Sequence, residues 1–239
     1  MTAVLWHDIE CGSYVADIPL WRALAERRGD PVLDVGAGTG RVTLELARRG
    51  HRVTALDRDP ALLAELERRA GELAVTTVTA DARDFELDER FPLVIVPMQT
   101  IQLLGGGDGR GAFLRCARRH LSGPDGIVAV AITEVLELFD GAGGAALPTP
   151  DMRELDGVVY ASQPTAVRRD SGGFVLERVR ETIGRAGERT TAQDSIRLDH
   201  LNAAGLEREA RAAGLWPAGR ELIQPTPDHV GSVVVMLSG

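Results

Sequence analysis

Pro31-Val-Leu-Asp34-Val-Gly36-Ala37-Gly38-Thr39-Gly40-Arg41-Val-Thr-Leu-Glu-Leu-Ala-Arg-Arg49 is the stretch that decides the fold. A short apolar run ends in three glycines at alternate positions. It passes into a segment whose Val42, Leu44, Leu46 and Ala47 leave Arg48 and Arg49 exposed, which reads as strand, tight turn and helix. Gly50 closes that helix, Arg52–Asp57 makes a second strand, and Pro60 opens a second helix. Val75–Ala80, Leu93–Val96 and Gly126–Ile132 read as third to fifth strands. Ala112–Leu121 is an amphipathic helix, set off by the breaker Ser122–Gly126. This alternation predicts a doubly wound, mostly parallel α/β sheet.

Past Thr133 the rhythm changes. Residues 141–150 are rich in Gly, Ala and Pro, after which Val158–Pro164, Gly173–Ile183 and Arg189–Leu198 read as turn-separated strands, an antiparallel insert over 151–198. Leu201–Ala213 is a helix ended by Gly214. Leu215–Ile223 and His229–Leu237 are then joined by the short turn Gln224–Asp228, which makes them antiparallel neighbours. With 239 residues, 44% hydrophobic and 26% charged, the chain reads as a single folded domain, 1–239.

Composition excludes several chemistries. All 27 basic residues are Arg, so Schiff-base and P-loop lysines are ruled out; this bias, with Asn202 as the lone Asn, fits a GC-rich bacterial genome. A net charge of -8 argues against a nucleic-acid or anionic-membrane surface and for a small-molecule partner. Cys11 and Cys116 form neither a disulfide framework nor a zinc pattern, and no metal site is expected. Met1–Cys11 lacks the form of a signal peptide and no apolar run is long enough to span a membrane, so a cytoplasmic protein is expected.

The glycine spacing, with Asp34 two before Gly36, resembles the first motif of class I S-adenosylmethionine-dependent methyltransferases. The dinucleotide fingerprint needs a small residue where Arg41 stands. The resemblance covers residues 31–132, and the closing strand pair fits the family's reversed seventh strand. It implies S-adenosyl-L-methionine as cofactor, lying over Asp34, Gly36, Ala37, Gly38 and Gly40. Asp57, beside Arg58, would take the ribose hydroxyls, and Asp81 with the Ala82 backbone the adenine. Pro97 and Met98 would run beneath the methionine part.

The same likeness makes residues 1–30 a helical lid that brings Tyr14 to the cofactor, and 151–198 a cover over a small-molecule acceptor methylated at N or O, an activity of secondary metabolism. His7, Gln99 and Tyr160 are the acceptor-side candidates. His7, Glu10 and His200 are candidate bases, although no motif compels a base and no catalytic residue is assigned. Tyr160, Arg178, Arg180, Glu177 and Glu181 are candidates to line the pocket, against the commoner solvated face of a charged strand. Pro97-Met-Gln-Thr100 stands where DNA and protein amino-methylating relatives carry Asn-Pro.

Plainer readings compete. Asp57 and Asp81 are also candidate helix caps, Met98, Ile101 and Leu104 candidate core, and Trp6 and Trp21 candidate staples. A nicotinamide-dependent oxidoreductase and a non-catalytic S-adenosylmethionine-binding protein stay open as alternatives. The acceptor, the choice among N, O and C, and a homodimer are not fixed by the sequence.

Overall fold

The computed structural model describes residues 2–141, 147–226 and 229–239, with the side chain of Thr2 left aside. The chain opens with two helices, α1 (Thr2–Cys11) and α2 (Ile18–Arg28). The alternating region follows: β1 (Val32–Val35), α3 (Thr43–Ala47), β2 (Val53–Asp57), α4 (Pro60–Ala70), β3 (Val75–Thr79), β4 (Leu93–Val96), a 3-10 turn (Thr100–Leu103), α5 (Gly106–Arg119) and β5 (Ile127–Ile132). The insert comprises β6 (Phe139–Asp140), β7 (Asp151–Leu155), β8 (Val158–Arg169), β9 (Gly173–Ile183) and β10 (Arg189–Asp199). α6 (Ala203–Ala212), β11 (Trp216–Ile223) and β12 (Ser232–Ser238) close the chain.

The main sheet has the order β11-β12-β5-β4-β1-β2-β3. β1 to β5 pair in parallel, and β12 runs antiparallel to both β5 and β11. β1, β4 and β5 are buried along their whole length, as continuous apolar runs covered by helices on both faces require. One face packs on α5 and α6 through Phe113, Leu114 and Leu206; the other packs on α2 and α3 through Trp21, Leu24 and Leu46. The insert forms a second, antiparallel sheet, β10-β9-β8-β6, with β7 also paired to β8. This is the expected fold.

Boundaries differ where distant contacts override local preference. α5 starts at Gly106, six residues before the expected Ala112, across a glycine-rich turn that has poor helix propensity. The Gly106 N–H donates to Asp199 Oδ2 (2.6 Å), and the buried Arg110 forks onto Glu209 (2.8 and 2.7 Å) and reaches Asp199 (2.7 Å). α3 ends at Ala47, short of Arg48, and α6 begins at Ala203, because Asn202 caps it by accepting from the Gly205 N–H (2.7 Å). β8 continues to Arg169 through a bulge at Pro164, and β12 begins at Ser232 rather than His229. β7 was not foreseen: Asp-Met-Arg-Glu-Leu carries no strand pattern, and pairing with β8 alone makes it one. Residues 142–146 of the Gly-rich stretch and 227–228 of the closing turn lie outside the described residues.

Candidate active site

The ends of β1, β2, β3 and β4 meet on one edge of the sheet, where an open α/β fold takes its ligands. The glycine loop bends over the end of β2, with the N–H groups of Gly36 and Ala37 both donating to Leu56 O (2.8 and 3.1 Å). All three glycines have positive φ (75°, 56° and 91°), and each is pressed by a protein neighbour. A Cβ on Gly36 would lie 2.5 Å from Thr100, one on Gly38 2.3 Å from His7 Nε2, and one on Gly40 2.2 Å from Leu66. The spacing therefore serves packing against the 3-10 turn, α1 and α4.

Asp57 Oδ2 accepts the Gly38 N–H (2.9 Å) and Oδ1 the Asp59 N–H (3.0 Å). The cap of α4 is Asp59, which accepts from the Ala61 N–H (2.8 Å), so Asp57 is not a helix cap. An ionised carboxylate has about four lone-pair positions, and Asp57 keeps acceptor capacity beyond these two bonds. Asp81 is more exposed. The side chain of Arg83 (2.9 and 2.6 Å) and its backbone N–H (2.9 Å) hold the Asp81 carboxyl down to about 2, so it serves a local turn as it stands beside exposed Arg58.

Asp34 is buried at the end of β1. Its Oδ2 accepts from Thr43 Oγ1 (2.7 Å), while Oδ1 has no hydrogen-bond partner among the described residues. Burial pushes its carboxyl up to about 6. Between about pH 4 and 6 the folded chain keeps a proton that the unfolded chain has lost, so this group lowers stability as pH rises through that window. Asp34→Asn is expected to gain about 1 to 2 kcal/mol at pH 8 and nothing at pH 4, read from thermal unfolding at both values. A variant no more stable at pH 8 would refute an ionised, partly orphaned carboxylate there.

After β4 the backbone is held in an uncommon state: Met98 has φ 54°, a conformation that costs a non-glycine residue about 1 to 3 kcal/mol and persists where surroundings impose it. Thr100 Oγ1 donates to Pro97 O (3.1 Å) and Gln99 Nε2 to Thr133 Oγ1 (2.9 Å). Buried Gln102 accepts the Thr133 N–H (2.8 Å) and donates to Thr133 O (3.1 Å) and Asp199 O (2.9 Å), tying this turn to β5 and the end of the insert. Gln99, expected on the acceptor side, is thus bound to the end of β5. Gln102 was missed, its one signal being a polar residue inside Ile101–Leu104. Ile101 is core, with Met98 and Leu104 packed against core clusters.

α1 joins the glycine loop to the insert. Thr39 Oγ1 donates its one proton to Asp8 (2.8 Å), so its oxygen accepts from His7 Nδ1 (3.3 Å); that leaves Nε2 as the unprotonated nitrogen against Gly38. Burial lowers the pKa of His7 against the pull of Asp8, Asp57 and Glu10, keeping the imidazole neutral at pH 7. Burial alone would raise the Asp8 carboxyl, but hydrogen bonds from Arg69 and Thr39 outweigh it and hold Asp8 ionised.

Glu10 takes both ends of Arg180 (2.7 and 2.9 Å), Arg178 (3.1 Å) and Ser162 (2.8 Å). Trp6 meets Tyr160 edge-on at 5.8 Å and lies under the Arg180 guanidinium at 5.5 Å. Although burial raises the Glu10 carboxyl, these partners pull it below the usual range, which removes it as a base. Tyr160, Arg178 and Arg180 therefore face α1. Glu177 and Glu181 pair with Arg168 and Arg189 on the outer surface, and His200 is exposed beside Phe174.

Tyr14 lies between α1 and α2. Its ring is buried between the Arg41 guanidinium (5.1 Å) and a stacked His229 (4.9 Å). Trp21, fully buried, donates to Asp17 (2.8 Å), which Arg41 grips at 2.6 and 2.7 Å, so the staple reading holds and Arg41 anchors it. Among the described residues no cluster of His, Cys, Asp and Glu could hold a metal, and no helix is long and apolar enough to cross a membrane.

The family model described as a methyltransferase domain matches residues 32–126. The chain is 36% identical over 118 residues to the cypemycin N-terminal methyltransferase of Streptomyces sp, a match covering 49% of this chain and 47% of that protein. The chain thus spans about half the length of the curated relative it matches. Two solved structures align over nearly its whole length. The sugar N-methyltransferase KedS8 from Streptoalloteichus sp has a TM-score of 0.75 at 20% identity, covering 98% of this chain and 92% of that one. CalS10, an amino pentose methyltransferase from Micromonospora echinaspora solved with S-adenosylmethionine bound, has a TM-score of 0.72 at 20% identity, covering 95% and 93%. At these identities the likeness is one of fold.

Proposed function

We propose, on the premise that residues 32–126 are a methyltransferase domain within a class I methyltransferase fold, that this protein transfers a methyl group from S-adenosylmethionine to N or O of a small molecule in secondary metabolism. The observation that carries the reading is the Asp57 carboxylate, an acceptor-only group fixed at the end of β2 by the N–H groups of Gly38 and Asp59. Such a group suits a ribose diol and would repel a 2′-phosphate. Asp34 Oδ1, buried and unpartnered, suits the cofactor's ammonium. Gly36, Ala37, Gly38 and Gly40 would cradle the cofactor, with Asp57 and Arg58 at the ribose, Asp81 and Ala82 at the adenine, and Pro97 and Met98 at the methionine. The Tyr14 hydroxyl is the one part of that buried residue assigned to this pocket. When bound, the cofactor supplies an electrophilic methyl group on a sulfonium.

The chain's own work is orientation and water exclusion, which together are worth about 7 to 11 kcal/mol in well-aligned transfers. α1 and α2 act as the lid, and the insert 151–198 covers the acceptor, with Tyr160 on its inner face. A net charge of -8 supports a small, non-nucleic-acid acceptor, and a cytoplasmic location belongs to the same reading.

His7 is the base in this reading. Nε2 of a neutral imidazole, fixed by Thr39 and Asp8, takes the acceptor's proton. His7→Gln is expected to lower kcat about 100-fold or more and to abolish the acid limb of the pH–rate profile, whose midpoint lies below the ordinary 6.5. Unchanged kcat would remove His7 from the chemistry. For the activity itself, the protein is incubated with S-adenosylmethionine and a panel of small amines and hydroxyl compounds while S-adenosylhomocysteine is followed by mass spectrometry. Acceptor-dependent product is expected. Absence of S-adenosylmethionine binding together with NADH binding would overturn the proposal.

A further inference from the structure

A cleft of about 400 Å3 opens between α1, α2 and α3; Thr39 and Gly40 of the glycine loop and the acids Asp8 and Glu45 are part of its wall, whereas His7, Asp57 and the turn after β4 are not. Its walls are partly apolar, with the two-thirds exposed Val15 beside Leu44, and partly cationic, with Arg22, Arg41, Arg48 and Arg69. A second hollow, of about 440 Å3, adjoins it through Asp8, Gly12 and Arg69 and adds Arg68 and Arg153.

Most of these cations are committed: Arg41 to Asp17, Arg69 to Asp8 and Glu65, and Arg68 to Glu65. Two are not. Arg22 shares Glu45 with Arg49, and its Nε is buried with no hydrogen-bond partner. The exposed Arg48 side chain makes no hydrogen bond or ion pair among the described residues, its backbone N–H alone donating to Leu44 O (3.0 Å). A surplus of guanidinium groups around an apolar wall, in a chain of net charge -8, calls for an anion. A buried donor left open is satisfied by an acceptor that the protein does not supply. Guanidinium forks match the oxygens of phosphate two at a time, and a volume of this order holds a drug-sized molecule rather than a bare ion.

We propose that this cleft binds a phosphorylated small molecule at a site that adjoins the proposed cofactor pocket at Gly40, with Arg22 and Arg48 on the phosphate and Val15 and Leu44 against its apolar part. The assignment does not depend on the methyl-transfer reading. Calorimetric titration of the whole chain with pyrophosphate at low ionic strength tests it, because salt screens such contacts. Saturable binding is expected, weakened about tenfold or more in Arg22→Gln and in Arg48→Gln. S-adenosylhomocysteine affinity should stay within about twofold, and Arg115→Gln, exposed on α5, should bind as the parent does. The exposed Arg48 side chain holds no hydrogen bond or ion pair among the described residues, so its variant remains folded even where Arg22→Gln does not. The proposal is overturned by absence of saturable binding, by unchanged affinity in Arg48→Gln, by equal loss in Arg115→Gln, or by parallel loss of S-adenosylhomocysteine binding.

Discussion

Asp57→Ala is expected to weaken S-adenosylhomocysteine binding by about tenfold to more than a hundredfold. In the proposed complex two ribose hydroxyls would be left without their acceptor, a loss of roughly 1.5 to 3 kcal/mol. A second contribution comes from the loop itself. The Gly38 and Asp59 N–H groups both end on Asp57, so its removal frees the glycine turn proposed to cradle the cofactor. Asp57→Asn separates the two effects: the amide oxygen keeps one of these bonds and the fold, but the amide has no charge and only one acceptor atom, so affinity still falls, by less. Calorimetry on both variants, with thermal unfolding as a control, decides the matter. An affinity unchanged in Asp57→Ala would remove the ribose assignment.

Glu10→Ala is expected to cost about 3 to 5 kcal/mol of stability, the usual result of stripping one partner from a buried ion pair. Arg178, 9% exposed, would lose its carboxylate, Arg180 would be left with Asp194 alone (3.1 Å), and Ser162 would lose its acceptor. For a chain of this size the loss amounts to a fall in Tm of roughly 10 °C. Adding Arg178→Met should return a good part of it, since an apolar replacement of both partners removes the uncompensated charge. The pH dependence has a fixed sign: the Glu10 carboxyl sits below its ordinary value in the folded chain, so its stabilisation is present above about pH 4.5 and lost as pH falls through the lower folded value. Denaturant unfolding that places Glu10→Ala within 1 kcal/mol of the parent would contradict a buried pair joining α1 to the insert.

Of the candidate site, the glycine loop and the carboxylates at the strand ends were legible because they are local. Glycine is favoured where φ is positive, and a strand that carries an acid at its carboxyl end delivers it to the ligand edge. Which acid caps α4 was not legible. Asp57 and Asp59 lie two residues apart, and only the direction in which each side chain turns distinguishes a cap from a loop anchor. The partition of the insert's charges was equally hidden, since alternate residues of β9 put Arg178 and Arg180 toward α1 while Glu177 and Glu181 pair outside.

The sequence by itself determined the main sheet, its parallel core and its reversed closing pair. Strands buried on both faces must be written as unbroken apolar runs, and their turns as Gly and Pro, so the pattern survives without knowledge of neighbours. The tertiary structure alone decided what stands against the glycine loop and what holds the N-terminal helices. Gly38 meets His7 from α1, α5 is begun by Arg110 gripping Glu209 99 residues away, and Glu10 closes on Arg180 across 170 residues. Contacts of that separation leave no local period or turn signal. They exist only because packing the apolar faces first brings the segments together and then makes an unpaired buried charge too costly to keep.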